Sequence, residues 1–208
     1  MSRPLVVSDC DEVLLHMVAP YKAWLAEHHD VEFSMRSSDF SDAMRHRGDD
    51  RPVAPAEIHR LLDLFFDTQM HAQPPIAGAV EAVNALAERA DVVILTNLTD
   101  AYREARTAQL DAVGIKARVF TNQGPKGPAL QRILDEYRPS RTVFIDDLPF
   151  HHRSAAEMTP DVVRLHLCGE PMLAPHIPCA HTAGHAHARI DTWDHALPWI
   201  HARLDEAA

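Results

Sequence analysis

The sequence predicts an α/β fold built on a doubly wound parallel sheet, and two observations support this class. Short apolar runs alternate with segments of helical periodicity along most of the 208 residues, which is typical of a sheet with helices on both faces. Several runs, such as residues 92–95 and 142–145, are continuously apolar rather than alternating. Parallel strands that are covered on both faces have this pattern.

The predicted elements follow one another in a simple order. The expected strands cover residues 5–8, 92–95, 118–120, 142–145, 162–167 and 188–190. The expected helices cover residues 77–90, 101–113, 126–137, 152–158 and 194–204. Gly114 directly follows the second of these helices, and glycine is the usual residue just past a helix end. The last strand and the last helix close the predicted fold.

The stretch from residue 16 to residue 75 interrupts this alternation. It contains no convincing strand, and a set of large apolar residues recurs there at the spacing of one helical face: Ile58, Leu61, Leu62, Phe65, Phe66 and Met70. The stretch is far longer than an ordinary connection between two elements. We therefore predict a core formed by residues 1–15 and 76–208, with a helical subdomain, residues 16–75, inserted after the first strand.

Acidic residues directly follow two of the predicted strands. Asp9 and Asp11 come after the first strand, and Asp146 and Asp147 come after the fourth. The carboxyl ends of parallel strands share one edge of a sheet, so carboxylates that are distant in sequence can meet there. Mg²⁺ prefers oxygen ligands of this kind, usually together with a substrate phosphate. The sequence therefore predicts a Mg²⁺ site that serves an anionic substrate.

Two further polar segments lie between the acidic pairs. Thr96 and Asn97 follow the second strand, and Lys126 comes shortly after the third. In chain order this gives carboxylates, a hydroxyl, a lysine and carboxylates again. Phosphoryl transfer needs such a set, because it uses a nucleophile beside an acid or base, donors for the transferring oxygens and a cation for developing charge.

In order and spacing, these segments resemble the motifs of the haloacid dehalogenase-like hydrolase superfamily. The match covers four motifs across most of the chain: Asp9-x-Asp11-x-Val13, Thr96, Lys126 and Asp146-Asp147. Each motif alone is weak, whereas the four in this order are specific. The resemblance implies a Rossmann-like core, a helical cap that closes over the site, and a phosphatase-type activity.

The resemblance also implies a role for each residue. Asp9 would attack phosphorus and form an aspartyl-phosphate, while Asp11 would protonate the leaving oxygen and later activate water. Thr96 and the backbone amide of Asn97 would hold phosphoryl oxygens. Lys126 would screen the charge of the nucleophile and of the phosphate.

The metal ligands follow from the same resemblance. Mg²⁺ would lie between Asp9, the backbone carbonyl of Asp11 and the acids of the fourth motif, with Asp147 rather than Asp146 as the direct ligand. Dehalogenating members lack an acid at the position of Asp11, so the resemblance favours phosphate esters over carbon–halogen bonds. Glu12 stands where many relatives carry glycine, which is a departure from the pattern.

Composition limits the partners. Acidic residues outnumber basic ones by 30 to 20, and the formal net charge is -10, which argues against nonspecific binding to nucleic acid or to an anionic membrane. No signal-peptide pattern and no apolar run of about 18 residues occurs. The three cysteines form no disulfide framework, which fits a reducing compartment. We expect a cytoplasmic enzyme that acts on a small phosphorylated metabolite.

Other functions remain open at this level. A phosphomutase or phosphotransferase of the same superfamily shares the first chemical steps and differs in what accepts the phosphoryl group. A receiver-like signalling module also uses acids, a threonine and a lysine on a parallel sheet, but it has no inserted subdomain. A noncatalytic relative that binds a partner through its cap is the third alternative.

Two clusters outside the motifs are ambiguous. A basic group in the inserted subdomain could contact a carboxylate or second phosphate on the substrate, although a solvated surface is the commoner role: Arg36, Arg45, His46, Arg47 and Arg51. A tail rich in histidine and cysteine lacks the short paired spacings of structural zinc sites: His166, Cys168, His176, Cys179, His181, His185 and His187. We assign neither cluster to the site.

Overall fold

The computed structural model describes residues 2–35 and 40–206. The strands are β1 (Leu5–Ser8), β2 (Val31–Phe33), β3 (Met44–His46), β4 (Asp91–Thr96), β5 (Arg118–Thr121), β6 (Thr142–Asp146), β7 (Val163–His166) and β8 (Ala188–Arg189). The helices are α1 (Val18–His28), α2 (Pro55–Gln69), α3 (Ala79–Arg89), α4 (Arg103–Ala112), α5 (Gly127–Tyr137), α6 (Pro149–Met158) and α7 (Trp193–Asp205).

The central sheet has six strands in the order β5-β4-β1-β6-β7-β8, and every neighbouring pair is parallel. The chain passes from β1 through β4 to β5 at one edge, and then returns to β6 on the other side of β1. In open α/β sheets, ligands bind at such a switch point, beyond the carboxyl ends of the strands. The predicted doubly wound parallel sheet is confirmed.

Helices cover both faces of this sheet. Successive residues of β1 point to opposite faces, so Val6 packs in one buried apolar cluster while Leu5 and Val7 pack in another. The first cluster includes residues of α3 and α7, and the second includes residues of α5 and α6. Burial on both faces explains why the strands are apolar throughout.

The predicted elements of the core are all present, with small shifts at their ends. The helix expected from residue 152 begins at Pro149. Proline breaks a helix interior but suits the first turn, where its missing N–H would have had no partner. The helix expected from residue 101 begins at Arg103, because residues Asp100–Tyr102 form a 3₁₀ turn.

Residues 16–75 lie outside the central sheet, but they are not wholly helical. Besides α1 and α2 they contain a two-stranded antiparallel sheet, in which Val31 pairs with His46 and Phe33 with Met44. The expectation of a segment without strands is therefore wrong. Three-residue strands leave too short an alternating pattern to be recognised in the sequence.

The inserted segment has an apolar cluster of its own. Tyr21, Trp24 and Phe65 pack together in it, with the rings of Tyr21 and Phe65 5.2 Å apart. The cluster also contains Cys168 and Leu173, which lie in the loop after β7. The segment therefore packs on a loop at the carboxyl end of the sheet. The division into core and cap at residues 15 and 76 stays a prediction.

Two properties of the whole chain are relevant to its environment. No helix in the described ranges has the length and apolar character needed to cross a membrane. The three cysteines are free thiols: Cys10 and Cys168 are buried, and Cys179 is partly exposed.

Candidate active site

The strand order brings the predicted site residues to one edge of the sheet. β1 lies between β4 and β6, with Ser8 level with Ile94 on one side and Ile145 on the other. Asp9 follows β1, Thr96 ends β4 and Asp146 ends β6. These residues therefore meet at the carboxyl ends of three adjacent strands.

Lys126 stands at the start of α5 and links two of the acids. Its Nζ lies 2.7 Å from Oδ1 of Asp9 and 2.7 Å from Oδ2 of Asp146, and its side chain is fully buried. Burial alone would lower the pKa of Lys126, but the charges of Asp146 and Asp9 hold it above its ordinary value. Lys126 is thus a fixed cation inside the site.

Gly127 lets α5 approach α6 closely enough to fix that lysine. A Cβ atom at Gly127 would come within 2.5 Å of the carbonyl oxygen and hydroxyl of Ser154. The backbone N–H of Gly127 also donates a hydrogen bond of 3.1 Å to Oγ of Ser154. Only glycine leaves room for this contact, which anchors the start of α5 directly after Lys126.

Three carboxylates form a buried cluster. One oxygen from each of Asp9, Asp146 and Asp147 lies within 4.8 Å of the others. Burial raises the pKa of Asp9 to about 6, with the charge of Lys126 opposing the shift and that of Asp146 adding to it. Burial and the charges of Asp146 and Asp9 raise the pKa of Asp147 well above its ordinary value.

Lys126 alone does not balance the negative charge of three carboxylates. Asp146 is already engaged by Lys126 and by the backbone N–H of Leu148 at 2.9 Å. The Asp147 carboxylate makes no hydrogen bond within the described parts of the chain. Hard divalent cations bind such oxygen ligands and supply the missing charge, so the residues present fit a site for Mg²⁺.

Thr96 and Asn97 lie beside the cluster. Oγ1 of Thr96 is buried and has no hydrogen-bond partner among the described residues. A buried hydroxyl without a partner costs about 1–3 kcal/mol, and an anionic ligand would remove that cost. The Asn97 side chain donates to the carbonyl of Gly124 at 3.0 Å and accepts from Asn122 at 2.9 Å, so it is held in one position.

The carboxylate of Asp11 points to a different set of partners. Nη2 of Arg106 donates to both of its oxygens, at 2.9 and 3.0 Å, and Nε2 of Gln73 donates to Oδ1 at 2.7 Å. Arg106 is fully buried on α4 and also binds Oε1 of Gln109 at 3.0 Å. This network fixes the direction of Asp11 beside the cavity that contains Asp9.

Sequence reasoning did not identify Arg106 or Gln73 as parts of the site. A signal for Arg106 was present, because it lies one and two helical turns before Leu110 and Val113 on the apolar face of the predicted helix. An arginine on such a face needs a buried partner. The sequence offered no means of choosing Asp11 as that partner.

Glu12, the residue that departs from the motif pattern, has a backbone conformation that favours glycine, and its side chain has a structural role. Its φ is 60°, in the left-handed region that glycine adopts without cost. Its Oε1 accepts the backbone N–H groups of Met17 and Val18, at 3.0 and 2.5 Å, and so caps α1. Burial raises the pKa of Glu12 to about 8. The side chain thus stabilises the start of the inserted segment.

Histidines support the backbone of the fourth motif. Nε2 of His152 donates to the carbonyl of Asp146 at 2.9 Å, and Nε2 of His166 donates to that of Asp147 at 2.7 Å. Burial lowers the pKa of both histidines to about 4. His151 lines the cavity, and burial together with the charge of Lys126 lowers its pKa to about 3. All three are neutral near pH 7.

The histidine- and cysteine-rich tail does not gather into a ligand set. Two groups of three potential metal ligands occur in the described chain. One is the carboxylate cluster, and the other consists of Glu12, His16 and Glu170. No member of the tail belongs to either group. In the second set, Nδ1 of His16 lies 2.8 Å from the Glu170 carboxylate.

Comparison with known proteins identifies the fold. No family model matches the chain, and no curated protein matches its sequence. Solved structures do match. A haloacid dehalogenase-like family hydrolase from Streptococcus pneumoniae is 10% identical with a TM-score of 0.65, over 96% of this chain and 98% of the other. A haloacid dehalogenase-like family hydrolase from Xanthomonas campestris is 17% identical with a TM-score of 0.59, over 98% and 96%.

A third structure is that of a predicted phosphoglycolate phosphatase from Haemophilus somnus. It is 13% identical with a TM-score of 0.65, over 94% of this chain and 97% of the other. The chain therefore has the fold of the haloacid dehalogenase-like hydrolases along almost its whole length. The similarity that its four motifs indicated is confirmed at the level of the fold.

Proposed function

We propose that this protein is a Mg²⁺-dependent phosphomonoester hydrolase that acts on a small phosphorylated metabolite through an aspartyl-phosphate. The observation that carries the proposal is the setting of Asp9. Its Oδ1 is bound by Lys126 and by the backbone N–H of Cys10, each at 2.7 Å, and its side chain lines the cavity. Asp146 and Asp147 lie beside it.

In the first half-reaction, Asp9 is the nucleophile. Because Lys126 and Cys10 both bind Oδ1, Oδ2 is the oxygen left to attack phosphorus. The new bond from Asp9 to phosphorus forms as the bond to the leaving oxygen breaks, and Asp11 gives that oxygen a proton. The position of Asp11 on the wall of the same cavity supports this role.

In the second half-reaction, Asp11 accepts a proton from water. The water oxygen bonds to phosphorus, the bond from phosphorus to Asp9 breaks, and inorganic phosphate leaves. Arg106 and Gln73 act as positioning residues, because their hydrogen bonds hold the Asp11 carboxylate in one direction. A misplaced base loses rate steeply even when its chemistry is unchanged.

The transferring oxygens need donors and a compensating charge. Thr96 Oγ1 and the Asn97 amide are the donors for the phosphoryl oxygens, and Lys126 stabilises the charge that develops on them. Mg²⁺, held by Asp9, Asp146, Asp147 and the carbonyl of Asp11, would supply Lewis-acid stabilisation of the same charge when bound.

We also propose that residues 16–75 act as a cap. Met17, Leu62 and Phe66 of this segment line the same cavity as Asp9, so the segment excludes water when it covers the substrate. Gln73, near the return to the core, donates a hydrogen bond to Asp11 and so connects the end of this segment to the site. The free cysteines agree with a reducing compartment, and the cytoplasmic location stays a prediction.

A phosphomutase or phosphotransferase remains the second candidate, because it shares the aspartyl-phosphate. It would pass the phosphoryl group to an alcohol rather than to water. A receiver-like module would keep the phosphoryl group and would not turn over repeatedly. Release of free phosphate in the absence of any acceptor therefore separates the hydrolase from these alternatives.

The test is a phosphate-release assay on a panel of phosphomonoesters, with Mg²⁺ and with a chelator. We expect repeated turnover only with Mg²⁺, and a loss of roughly 10³–10⁶-fold in kcat for Asp9→Asn, whose cooperative unfolding transition would show that the fold is retained. Asp161→Asn is the matched control, since Asp161 is exposed just before β7, at the opposite end of the sheet. Normal rates in Asp9→Asn would reject Asp9 as the nucleophile.

A further inference from the structure

The cavity beside Asp9 is lined by two chemically different sets of residues. Its volume is about 330 Å³, within the range of pockets that enclose small ligands. Asp9, Asp11, Glu12 and Asp147 form its acidic lining, beyond the ends of β1 and β6. Its apolar wall is formed by Met17, Met35, Leu62, Phe66, Leu173 and Ile177.

The apolar wall comes from the inserted segment and from the loop after β7. Leu62 and Phe66 are one helical turn apart on α2 and face the cavity together. Leu173 and Ile177 belong to the loop after β7. Leu62, Phe66 and Ile177 are only partly buried by the protein itself, so a ligand in the cavity would remove apolar surface from water.

No lysine or arginine occurs among the described residues of this wall, or among the other described residues that line the cavity. Of the basic group in the inserted segment, Arg45, Arg47 and Arg51 bind oxygen atoms of their own segment and do not line the cavity. Arg36 lies outside the described residues. Arg106 is engaged by Asp11.

We infer that the substrate is a phosphomonoester whose leaving group is an uncharged, apolar alcohol, which packs against Leu62, Phe66 and Ile177. This inference rests on the proposed function, since the phosphoryl group must lie at Asp9 for the leaving group to reach the wall. A carboxylate or a second phosphate on the leaving group would instead be placed against this apolar wall, where the described residues offer no cation to balance its charge.

The first test measures kcat/KM for ethyl, butyl and hexyl phosphate with Mg²⁺. The three alcohols have nearly equal acidity, so differences in rate report binding of the chain rather than leaving-group chemistry. We expect kcat/KM to rise about fourfold for each added methylene until the cavity is filled, the equivalent of ~0.8 kcal/mol per buried CH₂. We expect phosphoglycolate, whose leaving group carries a carboxylate, to be hydrolysed more slowly than butyl phosphate.

The outcomes separate the two proposals. If no phosphomonoester releases phosphate, the proposed function fails, and the substrate inference fails with it. If phosphate is released but kcat/KM is flat with chain length, or is higher for phosphoglycolate, the proposed function stands and the apolar leaving group is rejected.

A second test uses one pair of matched variants on α2. Leu62→Asn makes the wall polar, whereas Leu64→Asn changes another partly buried leucine of the same helix, one that does not line the cavity. We expect Leu62→Asn to lower kcat/KM roughly tenfold for hexyl phosphate and less than about twofold for ethyl phosphate. Leu64→Asn should leave the ratio of the two substrates unchanged. Equal losses on both substrates in Leu62→Asn would overturn the assignment of the wall.

Discussion

Arg106 shows how a single buried charge can govern the site. It is fully buried, and the carboxylate of Asp11 is the acid with which it pairs, at 2.9 Å. Removing one member of a buried pair leaves the other without compensation, which costs more than the pair itself contributes. The orientation of Asp11 therefore depends on a residue that is not among those lining the cavity.

We expect Arg106→Met to lower the free energy of unfolding by about 2–4 kcal/mol, because Asp11, Gln73 and Gln109 lose a buried partner. Asp11→Asn in the same background should recover part of this loss, with a coupling energy of at least ~1 kcal/mol. Denaturant unfolding of the four proteins in this cycle gives both values. Arg103→Met, an exposed arginine on the same helix, should cost less than about 1 kcal/mol.

Strictly additive effects of the two substitutions would contradict the pairing of Arg106 with Asp11.

That pairing also marks a limit of sequence reasoning at the residue scale. Asp9, Thr96, Lys126 and Asp146 could be proposed from the sequence because each stands at or near a predicted strand end. Arg106 lies inside a helix, and its partner is set by how α4 packs against the inserted segment.

At the scale of elements, the turn after β1 connects the sheet to the inserted segment. Glu12 holds a left-handed conformation that disfavours any residue with a Cβ atom, and its side chain caps α1. The strained conformation lowers the stability of the fold, whereas the cap raises it. Glycine would remove both, whereas alanine would keep the strain and lose the cap.

We therefore expect Glu12→Ala to be less stable than Glu12→Gly, by about 1 kcal/mol in urea unfolding. Asp63, exposed in the middle of α2, is the control site. There the order should reverse, with Asp63→Gly less stable than Asp63→Ala by about 1 kcal/mol. If alanine were the more stable substitution at both sites, the left-handed turn at Glu12 would be contradicted.

The elements differ in how readily the sequence reveals them. β1 and β6 are apolar on both faces and are followed by acids, so their pattern is strong. β2 and β3 are three residues long, and their pairing depends on contacts within the inserted segment. Local pattern carries too little information to predict such a hairpin.

At the scale of the whole molecule, buried neutral histidines make stability depend on pH. The pKa of His152 is about 4 in the folded protein, because burial disfavours its charged form. The unfolded chain takes up a proton near the ordinary value of about 6.5. Stability from this group is therefore fully present above pH ~6.5 and is lost as the pH falls toward 4.

Between pH 7 and pH 5, we expect the free energy of unfolding of His152→Gln to fall by about 1–2 kcal/mol less than that of the wild type. Glutamine keeps a donor for the carbonyl of Asp146 but does not titrate. Unfolding free energies at both pH values, measured with a chelator present, provide the comparison. His28→Gln, at an exposed position of α1, should follow the wild type. Equal losses in His152→Gln and wild type would refute the prediction.

The fold class of the core was predictable because its alternation of strands and helices leaves few topologies open. The strand order places β1 between β4 and β6, and this is why motifs separated by more than half of the chain meet. The shape of the cavity was not predictable. Its wall combines α2 with the loop after β7, and no local pattern links these segments.

The most direct test of the account is to locate the phosphoryl group on the enzyme. Asp11→Asn is mixed with Mg²⁺ and a phosphomonoester that has a good leaving group, quenched in acid, digested and analysed by mass spectrometry. We expect the phosphoryl group on Asp9, at higher occupancy than in the wild type, because loss of Asp11 slows hydrolysis of the intermediate more than its formation. A phosphoryl group on any other residue, or no phosphoenzyme while phosphate is still released, would contradict the account.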